Sequence, residues 1–66
     1  MQIKINGKTE SVPDKVTVQD VLETRKVPET GTVIVLNDEI VRAEDWQEIV
    51  LNGGDQLEFV RIIGGG

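Results

Sequence analysis

Apolar and polar positions alternate at the start of the chain. Gln2-Ile3-Lys4-Ile5 puts two isoleucines on one face of a strand and polar side chains on the other. Asn6-Gly7 follows directly, and Asn-Gly is the strongest short hairpin signal because both central residues of a type I′ turn need positive φ. The pattern predicts strands over about residues 2–5 and 8–12, with Ile3, Ile5 and Val12 facing inward. Pro13-Asp14-Lys15 closes the hairpin, and the period then changes. Thr17 reads as a helix N-cap with Asp20 three residues on. Val18, Val21 and Leu22 fall on one helical face, Gln19, Asp20 and Glu23 fall elsewhere, and Pro28 ends the segment. A helix of two to three turns is too short to be stable alone, so it must lie on a sheet.

Val33-Ile34-Val35-Leu36 is a continuous apolar strand, and Asn37-Asp38 turns it into Glu39-Ile40-Val41. A strand apolar on both faces is either central or covered on its second face, by its own chain or by a partner. Ala43-Glu44-Asp45-Trp46 reads as a helical turn at best, with Trp46 as a core plug or lid. Glu48-Ile49-Val50-Leu51 suggests a further short strand, and Asn52-Gly53-Gly54-Asp55 a turn. The final strand is expected over residues 56–63, with Leu57 and Phe59 inward. From Val60 the alternation breaks, because Val60 and Ile62 share a face with Glu58. Either a bulge shifts the phase or a small apolar patch is exposed.

The order of hairpin, helix, strand, short excursion and final strand fits an α+β, β-grasp (ubiquitin-like) fold. It would have a mixed sheet of four to five strands with one short helix packed across it. The first and last strands then run parallel as central neighbours, and the C-terminus leaves the sheet. One domain over residues 1–66 is expected, with 64–66 as a flexible glycine tail. Composition agrees: 22 of 66 residues are Leu, Ile, Val or Phe, and 17 of those are Ile or Val, whose branched Cβ favours strands. That apolar fraction exceeds what disordered chains carry.

The chain has no Cys and no His. This removes disulfides, thiolate metal sites, the usual nucleophile and the usual general base near neutrality. The longest apolar run is far too short to span a bilayer, and Met1-Gln2-Ile3-Lys4 lacks the long apolar segment of a signal peptide. A cytoplasmic protein is expected. A net charge of −5 disfavours nucleic acid and anionic membranes as partners and suits a basic docking surface, although it also serves solubility. Gly53-Gly54 leads into a strand and lacks a P-loop Lys. Glu44, Asp45 and Glu48 match no calcium loop and read as a solvated face. Ser11 has no base beside it in any recognisable motif. No metal site, no bound cofactor and no catalytic residue is expected.

One reactive group is left, the carboxylate of Gly66 at the end of Ile63-Gly64-Gly65-Gly66. It is ionised at neutral pH and a poor electrophile unless activated, most simply as an acyl-adenylate. Three glycines extend about 10 Å and can enter a channel too narrow for side chains. Gly64 and Gly65 therefore suit threading into another protein's active site. Taken alone, glycines at a terminus would also suit a frayed end.

Several segments together resemble the ThiS family of small sulfur carriers in thiamine biosynthesis, within the wider ubiquitin-like group that includes molybdopterin sulfur carriers. They are Asn6-Gly7, Leu36-Asn37-Asp38-Glu39-Ile40-Val41, Trp46, Val50-Leu51 with Gly54-Asp55, Leu57-Glu58-Phe59-Val60 and the terminal glycines. Molybdopterin carriers approach the glycines through a proline, which Arg61-Ile62-Ile63 lacks. The resemblance implies a carrier, not an enzyme. An E1-like adenylyltransferase would use ATP to adenylate Gly66, and a sulfur donor such as a cysteine desulfurase would convert it to a thiocarboxylate. A thiazole synthase or another acceptor would take the sulfur. Val60, Ile62 and Ile63 would be docking contacts, although Val60 and Ile62 could equally complete the core. Three alternatives stand beside this reading. One is a carrier for molybdopterin, homocysteine, cysteine or tRNA thiolation, another is a ubiquitin-like protein modifier, and the third is an interaction module whose glycines are incidental.

Overall fold

The computed structural model describes residues 1–61. Strand β1 (Gln2–Ile5) and strand β2 (Lys8–Ser11) form the expected hairpin, with Asn6 at φ 51° and Gly7 at φ 84°. Helix α1 (Val18–Thr24) crosses to β3 (Thr32–Leu36), which turns through Asn37 (φ 49°) and Asp38 (φ 68°) into β4 (Glu39–Val41). A 3₁₀ turn at Ala43–Asp45 precedes β5 (Gln56–Arg61). The sheet order is β2-β1-β5-β3-β4, with β1 and β5 parallel and the other neighbours antiparallel. Parallel neighbours need a crossover, and α1 lies within it. This is the β-grasp arrangement read from the sequence, with five strands.

One face of the sheet packs on α1. Ile3, Ile5, Ile34 and Leu57 from the sheet are buried with Val18, Val21 and Leu22 from the helix. Trp46 and Leu51, from the excursion between β4 and β5, complete this core. Trp46 is the expected plug, and its Nε1–H donates to the Val41 carbonyl at 3.1 Å, so burial leaves no donor unpaired. Val12 packs against the core edge as anticipated.

The helix begins where its cap dictates. Thr17 Oγ1 accepts from the Asp20 N–H at 3.1 Å, and the Asp20 carboxylate accepts from the Thr17 N–H at 2.9 Å, a reciprocal capping box. The next donors, Val18 N–H and Gln19 N–H, go to the carbonyls of Ile49 and Trp46 at 3.0 and 3.1 Å. That use explains one correction. Residues 48–51 form no sheet strand; Val50 makes an isolated bridge to Thr17, and Leu51 N–H donates to Val16 O at 2.8 Å. Their backbone groups serve the helix start instead of a ladder.

Two further departures arise at the helix. It stops at Thr24, well before Pro28, because Lys26 adopts φ 57° and a Schellman pair closes the end. Lys26 N–H donates to Glu23 O at 3.1 Å and Val27 N–H to Leu22 O at 2.9 Å. Gln19, expected on the polar face, is only 8% exposed. The excursion and the loop before β3 close over it, and its Nε2 donates to the carboxylates of Glu23 and Glu29. Strand β2 ends at Ser11, one residue short of expectation.

Candidate functional site

The end of β5 is where the chain continues into residues 62–66. These residues, with the anticipated roles of Ile62, Ile63, Gly64, Gly65 and Gly66, lie outside the described residues, and Val60 is the one predicted docking residue within them. Register resolves the broken alternation around it. The antiparallel ladder runs without interruption from Leu36↔Leu57 to Thr32↔Arg61, so no bulge shifts the phase. Val60 therefore points away from the helix and is 47% exposed.

It is not isolated there. Directly opposed residues of antiparallel strands project to the same face, and Val60 lies opposite Val33 while Ile40 lies opposite Val35. Val33 and Val35 share that face by the two-residue period of β3 and are half-buried, whereas Ile40 is 73% exposed. Four β-branched side chains thus make an apolar patch across β4, β3 and β5 on the outer face of the sheet. The rest of this face is polar, carrying Gln2 and Lys4 on β1, Thr9 and Ser11 on β2, and Gln56 and Glu58 on β5. Glu58, exposed and directly opposite Val35 on this face, gives the patch an acidic border, with Asp38 in the turn between β3 and β4.

Sequence reasoning named Val60 but missed Ile40, Val33 and Val35 as its neighbours. The available signal was the 33–36 run, apolar on both faces; Ile40 needed the β3–β4 register to be placed beside it. A separate cleft of about 190 Å³ lies between β2 and α1, lined by Val12, Val16 and Val21 and bordered by the Glu10–Arg25 ion pair. It sits at the β2 edge, two strands away from β5 in the sheet order. Among the described residues, no group of three or more acidic side chains is placed to hold a metal ion, and no helix is long and apolar enough to cross a membrane.

Comparison with known proteins places this geometry. The model of the ThiS family matches residues 2–66. The sulfur carrier protein ThiS of Escherichia coli (strain K12) is 30% identical over 66 residues, which is the full length of both chains. A thiazole synthase of Paramagnetospirillum magneticum is 33% identical over 66 residues; the match takes in all of this chain and 20% of that protein. The crystal structure of a thiamine biosynthesis protein (ThiS) from Geobacter metallireducens superposes with a TM-score of 0.87 at 29% identity, each chain fully covered. The solution structure of a thiamine biosynthesis protein from the same organism gives 0.82, also at 29% identity, covering all of this chain and 88% of that one.

Proposed function

The chain belongs to the ThiS family of sulfur carriers in thiamine biosynthesis, and from that membership we propose that the carboxylate of Gly66 is its working group. An E1-like adenylyltransferase uses ATP to form the Gly66 acyl-adenylate and releases pyrophosphate. Sulfur from a donor persulfide, such as that of a cysteine desulfurase, displaces AMP, and a thiol cleaves the resulting S–S bond to leave a thiocarboxylate. With no Cys in the chain, sulfur cannot be held as the carrier's own persulfide. A thiazole synthase then takes the sulfur and restores the carboxylate. The match of this whole chain to part of a thiazole synthase supports that acceptor, because it joins a carrier-like segment to such an enzyme in one polypeptide.

The chain itself supplies presentation. Residues 1–66 act as a single domain that binds no cofactor and catalyses nothing alone. Gly64 and Gly65 thread the partner's channel, where a side chain would obstruct passage. Val60 docks on the partner through the outer face, and Ile62 and Ile63 are proposed as further docking contacts. The observation that carries this reading is the apolar patch of Val33, Val35, Ile40 and Val60 across β3, β4 and β5, the last of which continues toward the glycines. Exposed apolar surface with a polar border marks an interaction site. Its acidic margin suits a basic partner surface, and the net charge of −5 suits neither nucleic acid nor an anionic membrane. The work is done in the cytoplasm.

The test is the intact mass of the protein purified under reducing conditions from a host with the full pathway. A fraction heavier by one oxygen-to-sulfur exchange, localised to Gly66, is expected. Protein whose Gly66 carries only oxygen, recovered from cells making thiamine through it, would overturn the proposal. Conjugates of higher mass that vanish when Gly66 is deleted would favour a protein modifier.

A further inference from the structure

Strand β5 is held on its two sides by the same unusual device. In the parallel ladder with β1, Lys4 N–H donates to Asp55 O at 2.8 Å and Asn6 N–H donates to Leu57 O at 2.9 Å. The next rung of a regular parallel ladder would run from Phe59 N–H to the backbone carbonyl of Asn6. Asn6, however, has entered the type I′ turn at φ 51°, where the backbone leaves the strand direction. Phe59 N–H donates instead to Asn6 Oδ1 at 2.9 Å. On the opposite side, Asn37 N–H donates to Gln56 O at 2.8 Å, and the antiparallel pattern calls for a return bond from Gln56 N–H to the Asn37 carbonyl. Asn37 is also in a left-handed turn, at φ 49°, and Gln56 N–H donates to its Oδ1 at 2.9 Å. Each asparagine tolerates the positive φ and replaces its own backbone carbonyl with a side-chain oxygen.

The two replacements act at opposite ends of β5. Asn37 serves Gln56, where the strand begins, and Asn6 serves Phe59, two residues before the last described position. Past Phe59, the described pairing of β5 is with β3 alone, through Val33↔Val60 and Thr32↔Arg61, because β1 has already turned back into β2. We propose that Asn6 is a positioning residue for the Gly66 carboxylate. Its Oδ1 extends the β1 side of the sheet by one rung and pins β5 at Phe59, next to Val60 of the apolar patch. This rests on the reading that Gly66 is adenylated by a partner. A base that is already ordered lowers the entropic cost of docking the tail.

The test uses full-length wild type, Asn6→Gly, Asn6→Asp and Asn37→Gly, with ATP–pyrophosphate exchange by the adenylating partner as the activity. Asn6→Gly keeps a residue suited to the turn but loses the oxygen; Asn6→Asp keeps both. For Asn6→Gly, the Phe59 amide should exchange with solvent about fivefold faster relative to the Ile34 amide, as expected for loss of one hydrogen bond. The KM for the carrier should rise about fivefold with kcat unchanged, the pattern of lost uniform binding. Asn6→Asp should behave as wild type. Asn37→Gly, which also loses the Asn37 Nδ2 donation to Asp55 Oδ1 at 3.1 Å, should lose at least as much global stability yet keep the wild-type KM, which separates positioning from mere destabilisation. An unchanged KM in Asn6→Gly, equal impairment in Asn6→Asp, or an equal KM rise in Asn37→Gly would each overturn the proposal. If wild type itself supports no pyrophosphate exchange, the adenylation reading fails and the positioning role fails with it, a result distinguishable from the others by the wild-type control.

Discussion

Replacing Ile40 by Ala separates docking from folding, because its side chain is 73% exposed while standing beside Val35 in the outer-face patch. The substitution removes three carbons, and each buried methylene-sized group contributes about 0.8 kcal/mol, so full burial of the lost atoms would be worth about 2.4 kcal/mol. In the free chain roughly a quarter of that burial already exists, which limits the folding cost to about 0.6 kcal/mol. The remainder, about 1.8 kcal/mol, becomes available only if a partner covers the patch, and it corresponds to a rise of about 20-fold in dissociation constant. The same arithmetic for Val60→Ala, with two carbons lost at 47% exposure, gives about 0.75 kcal/mol and a rise of about threefold to fourfold. Urea denaturation reads the folding term, and titration calorimetry against the adenylating partner reads the binding term. The reasoning is refuted if Ile40→Ala binds within twofold of wild type, or if it unfolds as readily as a core variant.

Other substitutions probe the frame and the tail. Leu22→Ala, at a fully buried helix position, should cost about 2–5 kcal/mol in urea denaturation, enough to unfold much of a 66-residue domain; a loss under 1 kcal/mol would mean the helix does not seal the core. Thr17→Ala removes one arm of the capping box and should cost about 1 kcal/mol, lowering Tm by about 4–8 °C. Gly65→Ala should fold with unchanged stability but support little pyrophosphate exchange, since the added methyl obstructs threading; normal exchange would sink the narrow-channel argument.

The site was legible in part, and the reason differs by residue. Gly66 entered as a candidate by elimination, since a chain without Cys or His offers few other groups that an activating enzyme could use, and its role is part of the proposal. Val60 was visible as a break in a period of two, but the break had two explanations. Only the uninterrupted β3–β5 register chose exposure over a bulge. Ile40 was invisible as a site residue because a lone isoleucine between Glu39 and Val41 carries no signal until pairing sets Val35 beside it.

Sequence alone determined the elements that depend on near neighbours. These include the Asn6-Gly7 and Asn37-Asp38 turns, where residue type controls access to positive φ. The Thr17–Asp20 cap, satisfied within one turn, and the alternation of β1 belong with them. Tertiary structure decided whatever depended on which distant groups were already taken. Residues 48–51 have strand-like composition, yet their carbonyls and amides were claimed by the start of α1. Gln19 became buried because the excursion and the loop before β3 closed over it. The two asparagines show both levels at once: their turns are local, but the donors their side chains satisfy belong to β5, in the case of Asn6 to a residue 53 positions away. A backbone donor left unpaired by a turn must find an acceptor in space, and sequence distance does not say which one it finds.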